Sequence, residues 1–209
     1  MRFFSVTLIF LLLTLNCFGN SAMPPLIGFL INNGEKSTNN PEIKVRIRSL
    51  KNPANLLEAM QIGTKSDLSD AAWQPFSSEP VALTLSEGDG EKFIYARLKD
   101  KAGNISDIET SSIELDTQPP VTMEFAINKG AQYTNDNTGR VFLQIKGDDA
   151  VAWQVSNNSN FTNAPWEALS NNKTWNIDLR GGDGEKVIYA RFKDEAGNST
   201  EPLSRSIIL

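Results

Sequence analysis

The sequence contains no histidine and only one cysteine. Without histidine there is no Ser-His-Asp or Cys-His nucleophile system and no His-containing zinc site. A lone cysteine cannot form a disulfide within one chain, so the core must hold without a covalent staple. No Gly-rich phosphate loop opens a helix pattern, and no Gly-x-Ser-x-Gly elbow occurs. Basic clusters are missing as well: Lys and Arg number 20 against 25 Asp and Glu, for a net charge of −5. Nucleic acid and anionic lipid both need clustered cations, so neither is expected as a main partner. Carboxylates are numerous but sit in strand and turn contexts, where solvation is their ordinary role. These absences together predict a chain without catalytic activity.

A long hydrophobic run is also lacking. Phe3 to Leu15 is almost wholly apolar, but it is roughly 13 residues long, whereas a bilayer span needs about 20. Its position behind Arg2 reads as an export signal. Two processing routes are open. Cleavage after Gly19 or after Ala22, the latter removing residues 1–22, would discard Cys17. Alternatively Leu13-Thr14-Leu15-Asn16-Cys17 resembles a loose bacterial lipoprotein box, with a signal ending at residue 16 and Cys17 lipidated. A lipid on Cys17 would be the chain's route to a membrane. The expected location is the cell envelope or the extracellular space.

What the sequence has in place of these features is a repeat. Residues 88–104 read GDGEKFIYARLKDKAGN, and residues 182–198 read GDGEKVIYARFKDEAGN. A period of about 94 residues is too long for a solenoid unit and fits one small sandwich domain. Around the repeat, apolar residues alternate with polar ones. Ile43, Val45 and Ile47 alternate with Lys44, Arg46 and Arg48, and Val141-Phe142-Leu143-Gln144-Ile145-Lys146 is the counterpart. Ile94, Ala96 and Leu98 alternate with Tyr95, Arg97 and Lys99, as Ile188, Ala190 and Phe192 do with Tyr189, Arg191 and Lys193. Val81, Leu83 and Leu85 are matched to Trp175, Ile177 and Leu179. A period of two marks half-buried antiparallel strands, and Asn32-Asn33-Gly34, Gly88-Asp89-Gly90 and Ala102-Gly103-Asn104 punctuate them. The predicted fold is all-β: two tandem immunoglobulin-like antiparallel β-sandwiches of about seven strands each, after the signal. The boundaries are 23–116 for the first domain, 117–120 for a stiff Gln118-Pro119-Pro120 linker and 121–209 for the second.

The pattern GDGEKxIYARxKDxAGN, with the Asp116-Thr117-Gln118-Pro119-Pro120 junction, resembles bacterial immunoglobulin-like repeats related to fibronectin type III domains. That resemblance implies a secreted or cell-surface protein in which such modules serve as spacers, adhesive units or accessory domains. It also implies a calcium test, because tandem surface repeats of this kind sometimes hold calcium at a junction. Asp89 and Asp183 lie in Gly-Asp-Gly turns, Asp100 and Asp194 open the hairpins, and Asp116 is at the linker. Loop carboxylates and carbonyls can supply the oxygens calcium takes, but Asp and Gly are equally the residues of metal-free turns.

Two further sites come from the residues themselves. Tyr95 and Arg97, with Tyr189 and Arg191, project from the face opposite the core, either as a cross-strand ladder or as a protein-binding face. The four tryptophans raise a carbohydrate-binding alternative. Trp153 and Trp175 fall at apolar strand positions and read as core, whereas Trp73 and Trp166 match each other and read as edge packing. The expected protein is a monomeric, non-catalytic adhesion, scaffolding or partner-binding module for a protein or glycan ligand, without an obligatory cofactor.

Overall fold

The computed structural model describes residues 28–48, 56–121, 123–147 and 149–209. The export segment, its cleavage points and Cys17 lie outside the described residues. Among those residues no helix is long and apolar enough to cross a membrane.

Alternation dictates each layer. In β3 (Glu42–Ile47) the odd-numbered side chains are buried and the even-numbered ones exposed, as a two-residue period requires of a sheet with one wet face. β3 pairs with β1 (Phe29–Ile31) and β6 (Val81–Thr84) in a three-stranded sheet. Facing it is a five-stranded sheet, in the order β2 (Ser37–Thr38), β8 (Glu109–Leu115), β7 (Gly90–Asp100), β4 (Leu57–Gly63) and β5 (Gln74–Pro75). The second half repeats the plan. β9 (Glu124–Ile127), β10 (Arg140–Lys146) and β13 (Asn172–Asn176) form one sheet. β12 (Glu167–Ala168), β11 (Ala152–Ser156), β14 (Glu185–Lys193) and β15 (Leu203–Ile208) form the other. No described sheet mixes strands from the two halves.

Each half has its own core. In the first, Val45, Ile94, Ala96 and Leu98 are sealed between the sheets. In the second, Val141, Leu143, Ile188 and Phe192 take those places, and Trp153 stacks on Phe192 with centroids 6.5 Å apart. Burying one such side chain contributes about 1.5–3 kcal/mol, which is how a chain with no internal disulfide can hold this fold.

Three features depart from the sequence reading. First, pairing is not wholly antiparallel. Asn32 to Gly34 form a tight left-handed turn, with φ of 44°, 62° and 100°. The chain then crosses to the opposite sheet, where Ser37–Thr38 runs parallel to Glu114–Leu115. The same turn at Asn128, Lys129 and Gly130 precedes a single parallel bridge from Tyr133 to Ile208. In each turn the leading Asn side chain accepts a backbone N–H from the neighbouring strand, at 2.9 Å from Lys44 and 2.8 Å from Phe142. The first half therefore has eight strands rather than seven.

Second, Trp175 stands in the place of Leu83 and not of Val81. Ile43 pairs with Leu83 and its counterpart Val141 pairs with Trp175. Likewise Leu85 donates to Pro41 and Ile177 donates to Gly139. A uniform offset fails here because the loop after β13 is longer than the loop after β6. The extra length leaves Leu179 39% exposed, whereas Leu85 is buried.

Third, Trp175 borders the core and does not lie in it. It is half-buried, and its indole N–H reaches the Asn157 side-chain oxygen at 3.0 Å. An indole N–H needs a partner, and an edge strand supplies one near solvent. Trp153, by contrast, is 1% exposed, as expected.

The repeated hairpin is as the sequence predicts. Gly103 and Gly197 have φ of 90° and 100°. A Cβ at Gly103 would meet nothing within 4 Å, and at Gly197 only the Asn39 amide at 3.6 Å, so the penalty there is conformational rather than steric. Gly197→Val should cost the second half about 1–2 kcal/mol and leave the first half's melting unchanged. Equal melting of variant and parent would show that the turn tolerates a side chain.

Candidate binding faces

The Tyr–Arg face predicted on the long strand is built, but it is largely occupied by the protein itself. Arg97 and Lys99 project from β7 beneath the indole of Trp73, at 5.2 and 5.6 Å from its centroid. Arg191 and Lys193 do the same beneath Trp166, at 5.3 and 4.5 Å. Arg191 also lies 4.7 Å from the ring of Phe161. Both tryptophans are half-buried. With two cations on each ring, these indoles are not open stacking platforms, and the cation–π ladder is the better description of the face. Tyr95 and Tyr189 are half-buried beside small cross-strand neighbours, Gly63 and Thr110 for the first and Ser156 and Ser204 for the second.

A residue not predicted from sequence organises this face. Gln61 and Gln154 are buried polar side chains, each flanked by apolar residues in its strand. Gln61 accepts the Arg97 Nε–H at 2.7 Å and donates to the carbonyls of Leu68 and Ala71 at 3.1 and 2.6 Å. Gln154 accepts from Arg191 at 2.6 Å and donates to Ala164 at 2.6 Å. One amide thus fixes the arginine and ties down the loop that carries the tryptophan. Leu68 and Phe161 plug that loop into the protein with buried side chains despite left-handed φ of 57° and 52°. Such a backbone is sparsely populated for large residues and is held by the surrounding contacts. The available signal was the recurrence of Gln in Met60-Gln61-Ile62 and Trp153-Gln154-Val155.

Of the five aspartates proposed for calcium, Asp116 and Asp194 border one hollow beside the junction, and the other three lie elsewhere. Among the described residues no three His, Cys, Asp or Glu side chains are grouped to hold one metal ion. Most of these carboxylates serve turn geometry instead. Asp100 accepts the N–H groups of Ala102 and Asn104 at 2.9 and 2.8 Å and the Asn104 side-chain amide at 2.8 Å. Asp194 accepts from Gly197, from the Asn198 backbone and from the Asn198 side chain at 2.7, 2.8 and 3.0 Å. Asp89 accepts both the N–H and the hydroxyl of Thr117, at 3.0 and 2.9 Å. Asp116 takes the Gln118 N–H at 3.0 Å. Asp183 is exposed in its turn.

At Asp100 and Asp89 these bonds favour the ionised carboxylate. The Asn104 side-chain amide, aided by the Asn104 and Ala102 backbone amides, holds Asp100 below its usual 3.8. The Thr117 hydroxyl and then its N–H do the same for Asp89. Arg180 beside Asp178 pulls that carboxyl down to about 2. For a carboxylate with a depressed folded-state value, the stabilisation is fully present above the unfolded value. It is lost as pH falls through the folded one. The turns should therefore remain intact at pH 4 and loosen below it, with Asp178 titrating last, near pH 2. Carboxyl-carbon NMR titration checks this, and an Asp100 midpoint at or above 3.8 would contradict the hydrogen-bonding account.

No family model matches the sequence, and no curated protein matches it either. The structure is similar to the fibronectin(III)-like modules of Clostridium thermocellum CbhA. The TM-score is 0.53 at 8% identity, covering 87% of this chain and 94% of that one. At that identity the likeness concerns the fold, which is an all-β sandwich of the immunoglobulin and fibronectin III kind. The Spr0440 glycoside hydrolase domain of Endo-D from Streptococcus pneumoniae R6 aligns at a TM-score of 0.35 and 14% identity. That alignment spans 82% of this chain and 32% of that one, below the level of a shared fold.

Proposed function

We propose that this chain is an exported, non-catalytic protein of the cell envelope or extracellular space. Its two sandwich modules act as a stiff pair for adhesion, scaffolding or partner binding. Support for the absence of chemistry comes from the fold, since modules of this kind are filled by side chains and leave ligands to faces and loops. Support for export comes from the apolar run behind Arg2.

The observation that carries the reading is the junction between the modules. Thr117 and Gln118 are tied back to the first module by Asp89. The Asp116 N–H donates to Thr38 at 3.0 Å, and the Asp116 carbonyl accepts the Asn198 side chain of the second module at 2.8 Å. Pro119 and Pro120 follow, with their fixed φ. A spacer or presenting device needs a fixed angle between its modules, and the bond from Asn198 to Asp116, with the linker tied back by Asp89, supports that reading.

Spin labels at Glu109→Cys and Glu201→Cys, with Cys17→Ser, test the stiffness. The expected result is one narrow distance distribution that broadens when Asp89→Ala and Asn198→Ala are combined. A broad distribution in the unsubstituted junction would remove the support for a presenting role.

A further inference from the structure

The two modules agree in their cores and disagree on one outer face. In β3 the exposed side chains are Glu42, Lys44 and Arg46, an ordinary charged and solvated surface. The corresponding exposed positions of β10 are Arg140 and Phe142, followed by the half-buried Gln144. Lys44 and Phe142 are equivalent, because each donates its backbone N–H to the leading Asn of the left-handed turn. Phe142 is 58% exposed. Among the outward positions of β3 and β10, Phe142 is the one that carries an aromatic ring, and its counterpart Lys44 in the first module is charged.

The surroundings of that ring are specific. It lies in an open groove of about 630 Å³. Across the sheet Phe142 pairs with Thr174, and Gln144 pairs with Asn172 on one side and Ala126 on the other. Among the described residues the side chains of Gln144 and Asn172 and the Arg140 guanidinium make no hydrogen bond or ion pair. Asp136 keeps its Oδ2 free while Oδ1 serves Thr138. The groove is therefore one aromatic face ringed by unengaged amides, a guanidinium and a carboxylate oxygen. At Thr134 it adjoins a second hollow of about 460 Å³ that reaches Leu179, in the loop lengthened in this module alone.

From this we infer a saccharide-binding site on the outer face of β9, β10 and β13, with Phe142 as its stacking platform. A pyranose ring has an apolar C–H face and a rim of hydroxyls. The first fits the ring of Phe142, and the second fits the bidentate amides, the free Asp136 oxygen and the Arg140 guanidinium. A peptide partner would call for aliphatic pockets, and no aliphatic residue lines this groove. Two adjoining hollows fit an oligosaccharide better than a single sugar. The chemistry is that of a neutral hexose or N-acetylhexosamine chain. The inference rests on the non-catalytic binding reading and assigns it a ligand class.

The test is NMR and calorimetric titration of the purified chain with cellohexaose, mannohexaose and chitohexaose. At least one should bind saturably at one site per chain, with shifts confined to β10, β13 and residues 128–140. Phe142→Ala should weaken that binding at least tenfold, and Asn172→Ala should weaken it independently. Lys44→Ala, at the equivalent place in the first module, should leave it unchanged. Phe142 lies outside the core, so unaltered melting of the variant will show that the loss is local. Failure of all three sugars to bind would overturn the inference, as would shifts centred on Trp73 or Trp166. So would concentration-dependent dimerisation that Phe142→Ala abolishes, which would make the ring a contact between copies. Release of reducing ends would be a different failure: the groove would stand and the non-catalytic reading would fall.

Discussion

Trp153→Ala should cost the second module about 3–5 kcal/mol and leave the first module's transition in place. Trp153 is the largest fully buried side chain in the molecule as described, at 1% exposure, and it packs against Phe192 in the middle of its sandwich. Truncation removes the transfer free energy of an indole and leaves a cavity that β11 cannot close, because ladder bonds pin it between β14 and β12. For a domain of this size each kcal/mol lowers the midpoint by roughly 4–8 °C, so the module's midpoint should fall by about 12–40 °C. Met60 occupies the equivalent place in the first core. Differential calorimetry should then show two separated transitions where the parent shows nearly coincident ones. One shared transition at a lower temperature would mean that the two cores are energetically a single unit.

Gln154→Leu should be the next most damaging change, at about 2–3 kcal/mol. Leucine is the right size but leaves the Arg191 Nε–H and the Ala164 carbonyl without their partner. The loop from Asn157 to Trp166 then loses the bond that fixes its base. Phe161, already held at an unfavourable φ of 52°, can relax outward. Amide hydrogen exchange in that loop should accelerate, and Trp166 emission should shift toward that of a solvated indole. Gln61→Leu should act the same way on the first module alone. A stable Gln154→Leu protein with unchanged exchange would show that the ladder of Arg191 and Trp166 holds the loop without the amide.

How much of this was legible beforehand differs by feature, and the reasons are physical. The duplicated GDGEK phrase and the alternation around Ile43 and Ile188 report a two-residue period directly, so both sandwiches could be read from them. The glycines at 103 and 197 could be placed because a left-handed hairpin leaves few alternatives. Gln61 and Gln154 were missed because a polar residue between apolar neighbours in a strand looks like noise. Its meaning lies in the loop carbonyls it meets, which come from tertiary structure. The assignment of Trp175 erred because a loop of different length shifts the strand register, which a fixed offset cannot detect. The crossing of Ser37–Thr38 to the opposite sheet was invisible because so short a segment has no period. Phe142 was visible as an outward position of its strand, but its exposure depends on what the neighbouring strands leave uncovered. The aspartates illustrate the reverse. Their residue types matched calcium, yet Asp100 and Asp194 are committed to amides within their own hairpins.

The central claim is that this protein binds and presents without transforming what it binds. The most direct measurement is product formation by the purified chain, over long incubation, on panels of glycosides, esters, peptides and phosphoesters, with each substrate recovered and quantified. The account predicts complete recovery of every substrate, including any oligosaccharide that binds stoichiometrically at Phe142. Reproducible turnover that a single Asp or Glu substitution abolishes would contradict it.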